Sequence, residues 1–154
     1  MSRFLIVDIG AGTMDVLYYD TASAQHYKAV VKSPVLTVAA KAESLPGNLV
    51  VTGVEMGGGQ IREVIKKRAN TSEVVMTAAA AATLSHTPDR IREWGIQIIG
   101  DTDVGEFKKN PQYSHLMVKD LNVKRLEKIV KGFGVAYEFD AVGICAQDHG
   151  VPPP

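Results

Sequence analysis

Residues 4 to 9, Phe-Leu-Ile-Val-Asp-Ile, form a nearly continuous apolar run, the pattern of a central strand covered on both faces. Gly10-Ala11-Gly12-Thr13 follows, and Met14 to Asp20 then reads Met-Asp-Val-Leu-Tyr-Tyr-Asp. This second run is short and rich in β-formers, so the glycines join two strands instead of opening a helix. A third strand over Tyr27 to Lys32 completes an antiparallel meander. After Pro34 the pattern changes to strands that alternate with helices. A strand from about Leu49 to Val54 runs into Met56-Gly57-Gly58-Gly59, and a helix follows from Gln60 to about Arg68. Ile61, Val64 and Ile65 lie on one face of that helix, and Lys66, Lys67 and Arg68 favour its carboxyl end.

Further along, Val74 to Met76 reads as a short strand and the alanine run of Thr77 to Leu84 as a small-faced helix. Thr87-Pro88-Asp89 starts another helix, with Thr87 as cap and Pro88 in the first position. Ile96 to Ile99 reads as a strand, while 101–119 has weak periodicity and is expected to be irregular surface with short elements. Asn122 caps a helix through Lys131 that Gly132 and Gly134 stop. Ala141 to Ala146 is expected to be a buried strand, leading into Gln147-Asp148-His149-Gly150 and a proline tail. The fold expected is α/β, a mixed sheet with three antiparallel strands first, then alternating helices and parallel strands. One domain would span 1–150, with 151–154 as a tail.

The 154 residues suit a single core, and 45% hydrophobic with 22% charged residues is a globular composition. Seventeen basic residues balance seventeen acidic ones, which argues against a nucleic-acid partner. The apolar run at the start is too short for a membrane span or signal peptide, so no membrane partner and a cytoplasmic location are expected. Cys145 is the only cysteine, so an internal disulfide and any cluster needing several thiolates from this chain are excluded. Within its apolar strand it reads as a packed core thiol.

The chemistry concentrates in Asp8-Ile9-Gly10-Ala11-Gly12-Thr13-Met14-Asp15. Two carboxylates and a hydroxyl surround a turn whose glycines let backbone N–H groups reach phosphate oxygens. Asp8, at a strand end, would face magnesium or its waters. A dinucleotide fingerprint does not fit, because it needs glycine where Asp15 stands and a helix where Met14 to Asp20 reads as strand. A plain hairpin with a glycine turn fits the same residues. Gly57, Gly58 and Gly59, between a strand and a helix, offer either a second anion site or merely a close turn. Gln147 and Asp148 end the last strand, where ligands collect in sheets of this kind; a solvated turn is the plain alternative. His26, His86, His115 and His149 show no ligand spacing.

The hairpin from Asp8 to Asp20, Asp-x-Gly-x-Gly-Thr-x-Asp between two strands, resembles the first phosphate motif of the actin, Hsp70 and sugar-kinase superfamily. The resemblance implies a ribonuclease H-like, actin-like ATPase half-domain that binds Mg-ATP. Asp8 would approach Mg2+, and Gly10, Ala11, Gly12, Thr13 and Asp15 would surround the terminal phosphates. Asp148 would serve as general base and Gln147 would position the attacking group. Within that superfamily, Met56 to Gly59 and Cys145 to Gly150 resemble an uncharacterised family labelled as related to pyruvate formate-lyase-activating enzyme. Radical activating enzymes need a three-cysteine cluster motif, which a chain with one cysteine lacks. No second Asp-x-Gly-x-Gly-Thr-like run follows residue 20, so the chain is expected to be an amino-terminal half, completed by a second half or by self-association. The alternatives are a non-catalytic assembly module and a binder of a phosphorylated metabolite.

Overall fold

The computed structural model describes residues 2–54 and 58–146, and these form two compact units. The first unit joins residues 2–34 to 121–146, and the second, 35–120, interrupts it in sequence. Mixed α/β structure is present in both.

The first unit begins with β1 (Arg3–Ile9), β2 (Thr13–Asp20) and β3 (Gln25–Lys32), paired antiparallel in sequence order. Its fourth strand, here β8 (Ala141–Ala146), arrives at the far end of the chain and lies parallel to β1, giving the order β3-β2-β1-β8. The period-two alternation sends Leu5, Val7, Ile9, Met14 and Val16 to one face. Helix α6 (Val123–Gly132) covers them with Leu126 and Val130. Asn122 starts the helix as expected, its side chain accepting from the Arg125 amide at 3.2 Å. Burying these apolar side chains is the main stabilising term for the unit, about 1.5–3 kcal/mol for each large one.

The second unit contains the alternating part: α1 (Pro34–Ser44), β4 (Asn48–Gly53), α2 (Gly59–Ala69), β5 (Val74–Thr77), α3 (Ala78–Ala82), α4 (Pro88–Glu93), β6 (Gln97–Ile99), α5 (Val104–Lys109) and β7 (Tyr113–Val118). Its four strands are all parallel, in the order β6-β5-β4-β7. Leu49, Val50, Val51, Val74, Val75 and Met76 are wholly buried, as strands covered on both faces must be. Thr77, expected to begin the alanine helix, caps it by accepting from the Ala80 amide at 3.3 Å.

Four features differ from the sequence expectations. The parallel strands after the meander do not extend its sheet; β4 to β7 form a sheet of their own, and only β8 joins β1. Residues 34–44 are a helix that the sequence pattern did not reveal. The stretch 101–119 holds α5 and the edge strand β7, whose Leu116 and Val118 are buried. The period-two signal there is blurred because polar and apolar side chains are mixed along the strand: Tyr113 packs edge-on against Phe107, the Ser114 hydroxyl donates to the Pro46 carbonyl at 2.6 Å, and His115 Nε2 and Thr52 Oγ1 are hydrogen-bonded at 2.7 Å. Finally β8 is exposed along its whole length, with Val142 and Ile144 each about half accessible. It is an edge strand, and α6 reaches only its neighbours, so an apolar sequence here does not produce burial.

Gly53 ends β4 with φ +121°, and a Cβ placed there would lie 2.0 Å from the Val118 carbonyl oxygen of the neighbouring strand. Gly53→Ala is expected to destabilise the second unit by about 2 kcal/mol or more. Urea unfolding followed through Trp94, which belongs to that unit, measures this.

Candidate functional site

The expected phosphate hairpin forms as a tight turn. Ile9 pairs with Met14, Asp8 lies directly opposite Asp15, and the Gly10 amide donates to the Thr13 carbonyl at 2.9 Å. A Cβ on Gly10 would approach that same oxygen at 3.3 Å, so glycine lets the two strands close. The Gly10 amide is therefore already used. Ala11 and Gly12 sit at the exposed tip, and among the described residues no backbone carbonyl takes their amides. On the other side of the turn, the Gly12 carbonyl accepts from the Ser33 amide at 3.0 Å, which ties the hairpin to the end of β3.

Because side chains alternate along strands, Asp8, Thr13 and Asp15 share the face of the sheet that α6 does not cover. A shallow pocket of about 280 Å3 opens there, lined by Ile6, Asp8, Asp15, Leu17 and Lys28. Lys28 was not legible as a site residue. It comes from β3, diagonal to Asp15, and its Nζ lies 2.8 Å from Asp15 Oδ1. That hydrogen bond, then the charge of Asp15, raise the Lys28 pKa above the ordinary 10.5, with a smaller contribution from Asp8. Only a map of which strands pair could have singled out Lys28 from the other surface lysines.

The result is asymmetric. Asp15 is partly covered and already has a cationic partner, whereas Asp8 is exposed and has no ion pair among the described residues. Cys145 occupies the position on β8 beside Asp8 and is exposed, not packed in the core. In register with Asp8, it lies on the face of the sheet that α6 does not cover.

The second glycine cluster begins α2. Gly58 precedes the helix without a side-chain cap, and its carbonyl accepts from the Arg62 amide at 3.1 Å. A Cβ on Gly58 would lie 2.6 Å from the Thr83 carbonyl oxygen, and Gly59 has φ +24°, so the first has a packing reason and the second a backbone reason to be glycine. Gly57 lies outside the described residues, as do Gln147, Asp148 and His149. The site residues that can be located therefore fall in two groups: Asp8, Gly10, Ala11, Gly12, Thr13 and Asp15 in the first unit, and Gly58 and Gly59 in the second.

The sequence profile of the family described as "Putative pyruvate format-lyase activating enzyme (DUF1786)" matches residues 56–154. The chain belongs to this family. The matched span takes in the α2 glycines and β8, while the Asp8 hairpin precedes it. A comparison with curated proteins finds no match, and a comparison with solved structures finds none either. Among the described residues no helix is long and apolar enough to cross a membrane, and no group of three or more His, Cys, Asp or Glu side chains is placed to hold a metal ion.

The Asp15–Lys28 pair supplies a direct check on this geometry. Its stabilising effect is present in full at neutral pH, below the ordinary lysine pKa, and is lost as the pH rises through the raised folded value. Asp15→Asn is expected to return the Lys28 ammonium to a lower titration point, read by NMR of its Nζ resonance; an unchanged titration would mean that the pair does not form in solution.

Proposed function

We propose that the first unit is the phosphate-binding half of an actin-like ATPase or small-molecule kinase, with Mg-ATP as its ligand. The observation that carries this reading is the placement of Asp8. An exposed carboxylate at the end of a central strand stands beside a glycine turn whose Ala11 and Gly12 amides meet no backbone carbonyl among the described residues, while the second carboxylate is paired with Lys28. Mg2+ prefers one or two carboxylates completed by water and substrate phosphates to an all-protein cage. The donor set fits that preference: Asp8 would hold the ion, and the Ala11 and Gly12 amides with the Thr13 hydroxyl would hold phosphate oxygens. When bound, the ion would supply charge neutralisation for the phosphates. The chain's own residues position and desolvate them.

The meander with a fourth strand parallel to the first supports the ribonuclease H-like part of this reading at the level of fold analogy. Gln147 and Asp148, directly after β8, remain the proposed positioning group and general base. The activity in the family's description is not what we propose, because one cysteine cannot furnish a three-thiolate cluster motif.

The test is the thermal midpoint with and without Mg-ATP. At about a hundred times its dissociation constant the ligand should stabilise the protein by roughly 2.7 kcal/mol. Asp8→Ala should abolish the shift. Wild-type protein that shows no shift overturns nucleotide binding by this chain.

A second reading, an assembly module that keeps the fold without hydrolysis, is favoured by the exposed edge of β8. Val142 and Ile144 stand about half accessible on a strand with one side unpaired among the described residues, the kind of edge that recruits another strand. In this reading a second copy supplies that strand. Sedimentation of the wild-type protein should then show a dimer that Ile144→Lys converts to monomer.

A further inference from the structure

The second unit contains a polar cleft of about 430 Å3 between α2, the α3–α4 connection and α4. Its charged lining is Arg62, Glu63 and Lys66 from α2 and Arg90 from α4. Arg62 and Lys66 are four residues apart, as are Arg90 and Trp94, so each pair shares one helical face. The Trp94 ring joins the two sides: Lys66 Nζ lies 4.8 Å from its centroid and the Arg90 guanidinium carbon 6.0 Å.

The neighbouring cations on the same helices are compensated. Lys67 reaches Glu43 at 3.8 Å, Arg92 reaches Asp89 at 2.8 Å, and Arg68 donates to the Leu45 carbonyl at 2.6 Å. Among the described residues, Arg62, Lys66 and Arg90 make no ion pair, and Glu63 is the one carboxylate of the lining. Three cations against one carboxylate give this concave wall a net positive character, which a cleft focuses. Arg62 adds direction, since its terminal nitrogen lies only 3.3 Å from the Cβ position at Gly58 and so turns back toward the start of α2.

We propose that this cleft binds a small phosphorylated, hydroxyl-bearing metabolite. Guanidinium forks match phosphate oxygens in pairs, and the lysine adds a point charge. Glu63 defines the rest of the ligand: an ionised carboxylate only accepts hydrogen bonds, so the group facing it is a hydroxyl donor and not a second anion. Trp94 supplies a flat apolar wall for the carbon skeleton. The volume suits a ligand of sugar-phosphate size. A nucleic-acid strand would call for a basic stripe, and the chain has no net charge.

Trp94 is the chain's only tryptophan, so its fluorescence reports on the cleft. Glycerol 3-phosphate, ribose 5-phosphate, glucose 6-phosphate, inorganic phosphate and unphosphorylated glycerol would each be titrated at constant ionic strength. A saturable change with at least one of the three phosphate esters, weaker with inorganic phosphate and absent with glycerol, is expected. Arg62→Gln and Arg90→Gln should each weaken it at least tenfold with an unaltered thermal midpoint, whereas Arg92→Gln and Asp8→Asn should bind as wild type. No saturable response to any of the esters, equal binding by the Arg62 and Arg90 variants, or a response only to a short single-stranded oligonucleotide would each overturn the proposal.

Discussion

The first unit depends on the parallel ladder between β1 and β8. It pairs Phe4 with Ala141 and Ile9 with Ala146, so strands from the two ends of the described chain lie side by side. Such a contact bears a loop-closure entropy that grows only slowly with the length of the intervening chain. That slow growth is why a second folded unit can interrupt the first between β3 and α6 without preventing the ladder from forming. The interrupting segment has its own sheet and its own buried core, so its residues are ordered by local contacts and not by the ladder.

The ladder also sets the chemistry. It makes β1 a central strand and puts the exposed Asp8 in a row with Asp15 on one side and Cys145 on the other. Each strand contributes one member to the site, and none is near its neighbour for local reasons. Lys28 reaches Asp15 diagonally from β3 and offsets the repulsion that two facing carboxylates would otherwise have. The same geometry leaves β8 bare, because α6 is one helix wide and lies over β1 and β2. The exposed valine and isoleucine are consequences of that single width, whereas the thiol, in register with Asp8, lies on the face that α6 does not cover.

Much of the local structure was legible. The glycine turn between β1 and β2, the Asn122 cap and the strand positions of β4, β5, β6 and β8 all follow from periodicity and capping chemistry, which act over a few residues; Thr87 starts α4 as expected but its side chain makes no capping hydrogen bond among the described residues. What was not legible has a common cause. Helix α1 is mostly alanine, valine and small polar residues, so its weak amphipathic pattern resembles a loop. Strand β7 shows little alternation because its first half carries polar side chains that the fold satisfies, His115 with Thr52 and Ser114 with the Pro46 carbonyl, while Leu116 and Val118 in its second half are buried. At the site, Asp8 and the glycine turn could be read from their sequence proximity, but Lys28 and the exposure of Cys145 could not, since both are set by pairing with strands far away in sequence.

The sequence by itself determined the elements and the hairpin: a period of two, two glycines and two aspartates are enough to define strands, a tight turn and a pair of facing carboxylates. Tertiary structure alone decided which sheet each later strand joined, that β8 would be an uncovered edge, and that the cations of α2 and α4 would meet around Trp94. The physical reason is range. Hydrogen-bonded turns and caps are local, whereas strand pairing and burial are shared among residues that only the folded chain brings together.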